Sequence, residues 1–138
     1  MEELKARALR YLVRREHSRD ELARKLAPHA ASPEILEATL NWLESTNKLS
    51  NQRFAELRTH QLARKYGAAR IRQDLKAKGI DDYPVSAAGE LERARAILAR
   101  KYREPATNRE EHARRARFLQ GRGFSYDTIR NALSKEPE

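Results

Sequence analysis

His17, His29, His60 and His112 are the first residues to test for chemistry, because imidazole serves both proton transfer and metal ligation. None has a second ligand at metal spacing, and Glu110-Glu111-His112 lacks the second histidine of a metalloprotease helix. Ser18, Ser50 and Ser125 have no base tied to them in sequence and stand where helix caps are wanted. Asp81-Asp82 fits a helix start better than a metal site. Gly67 stands alone, and Gly121 and Gly123 close a helix, so no glycine loop cradles phosphate. Zero cysteines exclude disulfides and thiolate zinc sites and agree with a reducing compartment. The expectation is a chain that is no enzyme and needs no metal or cofactor.

The chemistry that remains is that of charge. Lysine plus arginine number 29 against 20 acids, a net of +9 with pI near 10.2. Residues 1–50 hold nine bases and eight acids, whereas 57–80 hold seven bases and one acid, and 91–122 hold ten and four. Such an excess in the middle and C-terminal portions suggests a face for a polyanion. On helix 68–78, Arg72 and Lys76 project from one flank of an apolar face centred between Ile71 and Leu75. Asp74 lies on the other flank, where it can pair with Arg70. Arg64, Lys65, Arg72, Lys76 and Lys78 lack acidic neighbours in sequence, which favours a contact surface over a plain solvated face. In helix 109–122, Glu110 precedes Arg114 and Glu111 precedes Arg115 by four, the order that favours intrahelical pairs. The stems of Arg115 and Arg122 can also cover the core. Arg109 and Arg117 are the freer cations. The candidate binding residues are therefore Arg64, Lys65, Arg70, Arg72, Lys76, Lys78, Arg109, Arg117 and Arg122.

Something must hold these cations in place, and the pattern is helical. An aromatic ring precedes Ser or Gly, an aliphatic residue follows the ring by five, and Leu comes four later, in three places: His17-Ser18 to Leu22 and Leu26, Tyr66-Gly67 to Ile71 and Leu75, Phe124-Ser125 to Ile129 and Leu133. Ser or Gly is then an N-cap, and the ring and aliphatic form a hydrophobic staple. Ser18-Arg19-Asp20-Glu21 reads as a capping box. Gly79-Ile80 after Leu75, and Gly123-Phe124 after Leu119, read as left-handed helix ends.

With 39% hydrophobic and 36% charged residues, thin helix-on-helix contacts suit the chain better than one deep core. Helices are expected at 3–15, 18–27, 33 to about 47, 52–65, 68–78, 90–102, 109–122 and 126–134. Leu49-Ser50-Asn51 caps the fourth, in which Phe54, Leu57 and Leu62 face inward. Residues 81–89 read as a degenerate helix or a linker. Leu91, Ala94, Leu98 and Tyr102 form the stripe of 90–102, with Ile97 beside it. The four residues from Lys135 are expected to fray. The fold class is all-α, an elongated array of tandem three-helix repeats at 1–50, 51–89 and 90–138. No window suits a bilayer and the first residues make no signal peptide, so a cytoplasmic protein is expected.

Tyr66-Gly67-Ala68-Ala69-Arg70-Ile71-Arg72-Gln73-Asp74-Leu75-Lys76-Ala77-Lys78-Gly79-Ile80 resembles the second-repeat signature of the regulatory protein RecX family. Ala116-Arg117-Phe118-Leu119-Gln120-Gly121-Arg122-Gly123-Phe124-Ser125 resembles the third, and Ala8 to Ser18 with Glu21-Leu22 and Lys25-Leu26 the first. The resemblance implies a protein that binds the RecA–DNA filament and restrains RecA's recombinase, ATPase and coprotease activities; a monomer is expected. Two other readings stay open: a sequence-nonspecific module for single- or double-stranded DNA, and a structural scaffold that binds an acidic protein.

Overall fold

A computed structural model describes residues 1–134; the tail expected to fray, Lys135 onward, lies outside the described residues. The described chain is all helical. Its eight α-helices are α1 (Glu2–Arg14), α2 (Arg19–Leu26), α3 (Pro33–Ser45), α4 (Asn51–Leu62), α5 (Ala68–Ala77), α6 (Glu90–Lys101), α7 (Arg109–Gly121) and α8 (Tyr126–Leu133), with a 3-10 turn at Ala27–His29. Residues 78–88 carry no helix, as the linker alternative required.

Local signals set most of these boundaries. Ser18 accepts from the Glu21 amide at 3.1 Å while Glu21 accepts from the Ser18 amide at 3.2 Å, a complete capping box. The side chains of Ser32, Asn108 and Ser125 cap α3, α7 and α8 by accepting from the amides of Ile35, Glu111 and Thr128. Gly79 and Gly123 take φ of 83° and 92°. The next amide in each case bonds back to the carbonyl five residues earlier, Ile80 to Leu75 at 2.9 Å and Phe124 to Leu119 at 3.2 Å. Asn47, at φ 61°, ends α3 likewise, with the Lys48 amide bonding to the Leu43 carbonyl at 2.9 Å.

The chain divides into two compact units. The first comprises Met1–Arg58 and Leu75–Tyr83, the second Thr59–Asp74 and the chain from Pro84 onward, so the divide falls within α4 and α5. Leu4, Ala8, Leu22, Leu26, Leu40, Leu43 and Leu49 form the core of the first. Ala94, Ile97, Leu119, Phe124 and Ile129 form that of the second.

Four expectations need correction. The α4 helix stops at Leu62 rather than 65, and Leu57 is 46% exposed. Burial on α4 centres on Phe54 and Ala55, and at about 100° per residue Leu57 falls well off that stripe. Asn51 does not cap its own helix. Ser50 does, accepting from the Arg53 amide, while Asn51 Oδ1 accepts from the Arg19 amide at 2.8 Å and so serves the start of α2. On α6 the fully buried positions are Glu90, Ala94 and Ile97, with Leu91, Leu98 and Tyr102 half-buried, because a carboxylate takes a core-facing place. Finally, Glu111 accepts from the Thr107 amide and Arg115 donates to the Glu104 carbonyl, in place of pairing with each other.

His17, the first staple ring, is 1% exposed and held at both nitrogens, Nδ1 to the Arg15 carbonyl at 3.1 Å and Nε2 to Lys25 Nζ at 2.8 Å. Donation from Nδ1 leaves Nε2 to accept from the ammonium, an arrangement only the neutral ring allows. Burial, then the Arg15 and Lys25 charges, lower its pKa from 6.5, against the Arg15 carbonyl and Glu21, which raise it. For Glu21, burial raises the pKa, but Arg15, the Ser18 amide and Lys78 outweigh it and bring the carboxyl from 4.5 to about 2. Both shifts favour the fold at high pH. The contribution of His17 is complete above its unfolded value of 6.5 and shrinks as pH falls toward its lower folded value; that of Glu21 is lost between 4.5 and about 2. Urea denaturation of the whole chain is therefore expected to show stability declining below pH 6.5 and again below 4.5. In His17→Phe the first decline should vanish and the second persist.

Candidate binding surface

The α5 helix carries Arg70, Arg72 and Lys76, and its start is fixed inside the second unit. The first turn of any helix leaves amides unpaired. Here the Gly67 amide donates to the Arg122 carbonyl at 2.7 Å, Ala69 to the Gly123 carbonyl at 3.2 Å, and Ala68 to Glu90 Oε2 at 2.7 Å. So close an approach requires glycine, since a Cβ on Gly67 would meet the Gly123 oxygen at 2.5 Å. Glu90 is 6% exposed, and its other oxygen accepts from Thr128 Oγ1 at 3.1 Å. A carboxylate at a helix N-terminus is favoured by both its hydrogen bond and the helix dipole. Sequence reasoning passed over Glu90. Its signal was the spacing 90, 94, 97, which puts an acid on the apolar stripe.

Among the described residues, the side chains of Arg64, Lys65, Arg72, Lys76, Arg109 and Arg117 are exposed and make no ion pair. Lys78 differs from expectation. It belongs to the first unit, where its Nζ lies 3.7 Å from Glu21 of α2, an acid 57 positions earlier that no local window includes. Arg70 and Arg122 come together on Tyr66, their guanidiniums 4.6 and 5.4 Å from its ring centre. Arg70 also donates to the Gly121 carbonyl at 2.8 Å, and Arg122 to that of Lys65 at 3.3 Å while lying 5.0 Å from the Phe118 ring. Arg115 does cover apolar surface, its guanidinium 4.3 Å from the Tyr102 ring. Sequence reasoning missed Arg100, which donates to the Arg64 carbonyl at 2.7 Å. It is 36 residues away, so spacing held no signal. His29, His60 and His112 are exposed.

Family models for the first, second and third three-helix domains of RecX match residues 5–43, 50–88 and 88–133. The chain belongs to the RecX family. The regulatory protein RecX of Herbaspirillum seropedicae is 49% identical over 136 residues, covering 94% of this chain and 88% of that protein. That of Neisseria gonorrhoeae is 42% identical, with the same coverage. The crystal structure of RecX from Lactobacillus salivarius shares the fold with a TM-score of 0.81 at 23% identity, covering 96% of this chain and 93% of its own. The RecX-family architecture of three tandem three-helix domains is thus present, although the second holds only α4 and α5 among its described helices. No described helix is long and apolar enough to cross a membrane.

Because Glu90 joins α6 to the start of α5 and to α8, Glu90→Ala is expected to cost about 1–3 kcal/mol by leaving a buried amide unpaired. Glu90→Gln keeps an acceptor and should cost less. Urea denaturation at pH 7 measures both.

Proposed function

We propose that this RecX-family chain binds the RecA–DNA filament and inhibits RecA's recombinase, ATPase and coprotease activities by occupancy, without catalysis of its own. The observation that carries the reading is that the three RecX domain models match nearly the whole chain in order. The relatives are named regulatory proteins, and the resemblance of the repeat signatures supplies RecA as the partner. The working units are the repeats 1–50, 51–89 and 90–138, acting as a monomer in the cytoplasm. The contact residues are the exposed cations of α5 and α7, Arg72 and Lys76 first, since nothing among the described residues neutralises either.

The net charge of +9 favours a second reading, a nonspecific nucleic-acid-binding module that inhibits only by sequestering DNA. Salt separates the two. Phosphate contacts on duplex weaken with a slope of about −0.9 per neutralised phosphate. Binding to naked DNA is expected to be weak by about 200 mM salt, while inhibition of a preformed filament's ATPase persists. Loss of both in step would make sequestration the better account. Arg72→Glu with Lys76→Glu should weaken ATPase inhibition with helicity by circular dichroism unchanged; full inhibition by that variant removes this flank of α5 from the interface.

A further inference from the structure

The two units differ in charge balance and in how several of their arginines are held. The first holds thirteen bases and eleven acids, and three of its arginines meet carboxylates: Arg15 at Glu21, Arg19 at Glu37 and Glu44, Arg53 at Glu16, with Arg15 and Arg53 donating to a backbone carbonyl as well. The second holds sixteen bases and nine acids. There Arg70, Arg100, Arg115 and Arg122 donate to the backbone carbonyls of Gly121, Arg64, Glu104 and Lys65. Tyr66, Tyr102 and Phe118 hold three of these guanidiniums against ring faces, and Lys101 Nζ lies 4.9 Å from Phe118. A carbonyl or a ring fixes the direction of a guanidinium and cancels none of its formal charge, whereas a carboxylate does both. Donors beyond the one used remain on each fork.

We infer that nucleic-acid backbone is bound by the second unit alone, on the carbonyl-anchored guanidiniums of Arg70, Arg100, Arg115 and Arg122, with the polyanion identified as the filament's DNA on the reading proposed above. Cations already ordered lose little freedom when a phosphate arrives. An acidic protein is the less suitable occupant, because protein interfaces are anchored by buried apolar and aromatic side chains. Of the exposed large apolar residues among those described, Met1, Val13 and Leu57 belong to the first unit and only Tyr126 to the second. Phosphodiester backbone needs no such anchor.

The test compares two charge-matched variants of the whole chain: Arg100→Gln, Arg115→Gln, Arg122→Gln in the second unit, and Arg10→Gln, Arg14→Gln, Arg24→Gln, three exposed residues of the first. Binding of a fluorescein-labelled oligothymidylate is followed by anisotropy across a salt series. The second-unit variant should bind more weakly, with its log–log salt slope reduced by about 2, from roughly 0.7 per single-strand phosphate contact. The first-unit variant should keep the parental slope. Equal losses in both variants would overturn the assignment, as would a second-unit variant that keeps the oligonucleotide but loses binding to poly-glutamate. If the triple variant loses helicity, Arg100→Gln alone decides, its slope falling by about 0.7 or the site failing. RecA ATPase is read in parallel. A parental chain that binds the oligonucleotide as expected but leaves ATPase untouched removes the filament reading and keeps the site. Inhibition with unaltered oligonucleotide binding in the second-unit variant removes the site and keeps the reading.

Discussion

A helix that begins in a protein interior must find acceptors for its first amides, and α5 meets that demand without water. Gly67, Ala68 and Ala69 donate in turn to Arg122, Glu90 and Gly123. Two of those acceptors are backbone and come from the turn between α7 and α8; the third is a carboxylate from the first residue of α6. The arrangement exists only because Gly67 can lie against Gly123. The placement of Arg70 follows from it. Its backbone packs so near Gly123 that a Cβ there would come within 2.6 Å of the Arg70 amide nitrogen, and its guanidinium reaches the Gly121 carbonyl.

Electrostatics sharpens the same contrast. In the first unit, Glu21 receives Arg15 and Lys78 and is held at about 2, so positive and negative side chains consume one another. In the second, Arg70, Arg100, Arg115 and Arg122 are oriented by carbonyls that carry no formal charge, although Arg130 pairs with Asp127. Exposed ion pairs add little stability in water. Their larger effect here is on formal charge: the first unit holds thirteen bases against eleven acids, the second sixteen against nine.

Much of this fold was legible in the sequence because its determinants are local. A staple, a capping box and a left-handed glycine each lie within about six residues, and Ser18, Gly79, Gly123 and Ser125 all take the expected roles. The misses have two causes. Leu57 is expected to face inward with Phe54 and Leu62, yet α4 turns its buried face to Phe54 and Ala55. Asn51 serves α2, 32 residues earlier; Lys78 meets Glu21; Arg100 meets the Arg64 carbonyl. Each is a long-range polar contact, and such contacts leave no period in a sequence. The candidate surface was therefore legible as a count of charges and not as an arrangement of them.

Gly123 closes α7, carries Phe124 into the staple of α8 and receives an amide from α5. One residue is thus common to three helix ends. The consequence is that these ends cannot fray independently: unravelling the last turn of α7 strips an acceptor from α5 and loosens the ring that starts α8. Melting of the second unit should accordingly spread from this junction as a single event rather than peel helix by helix from the chain terminus.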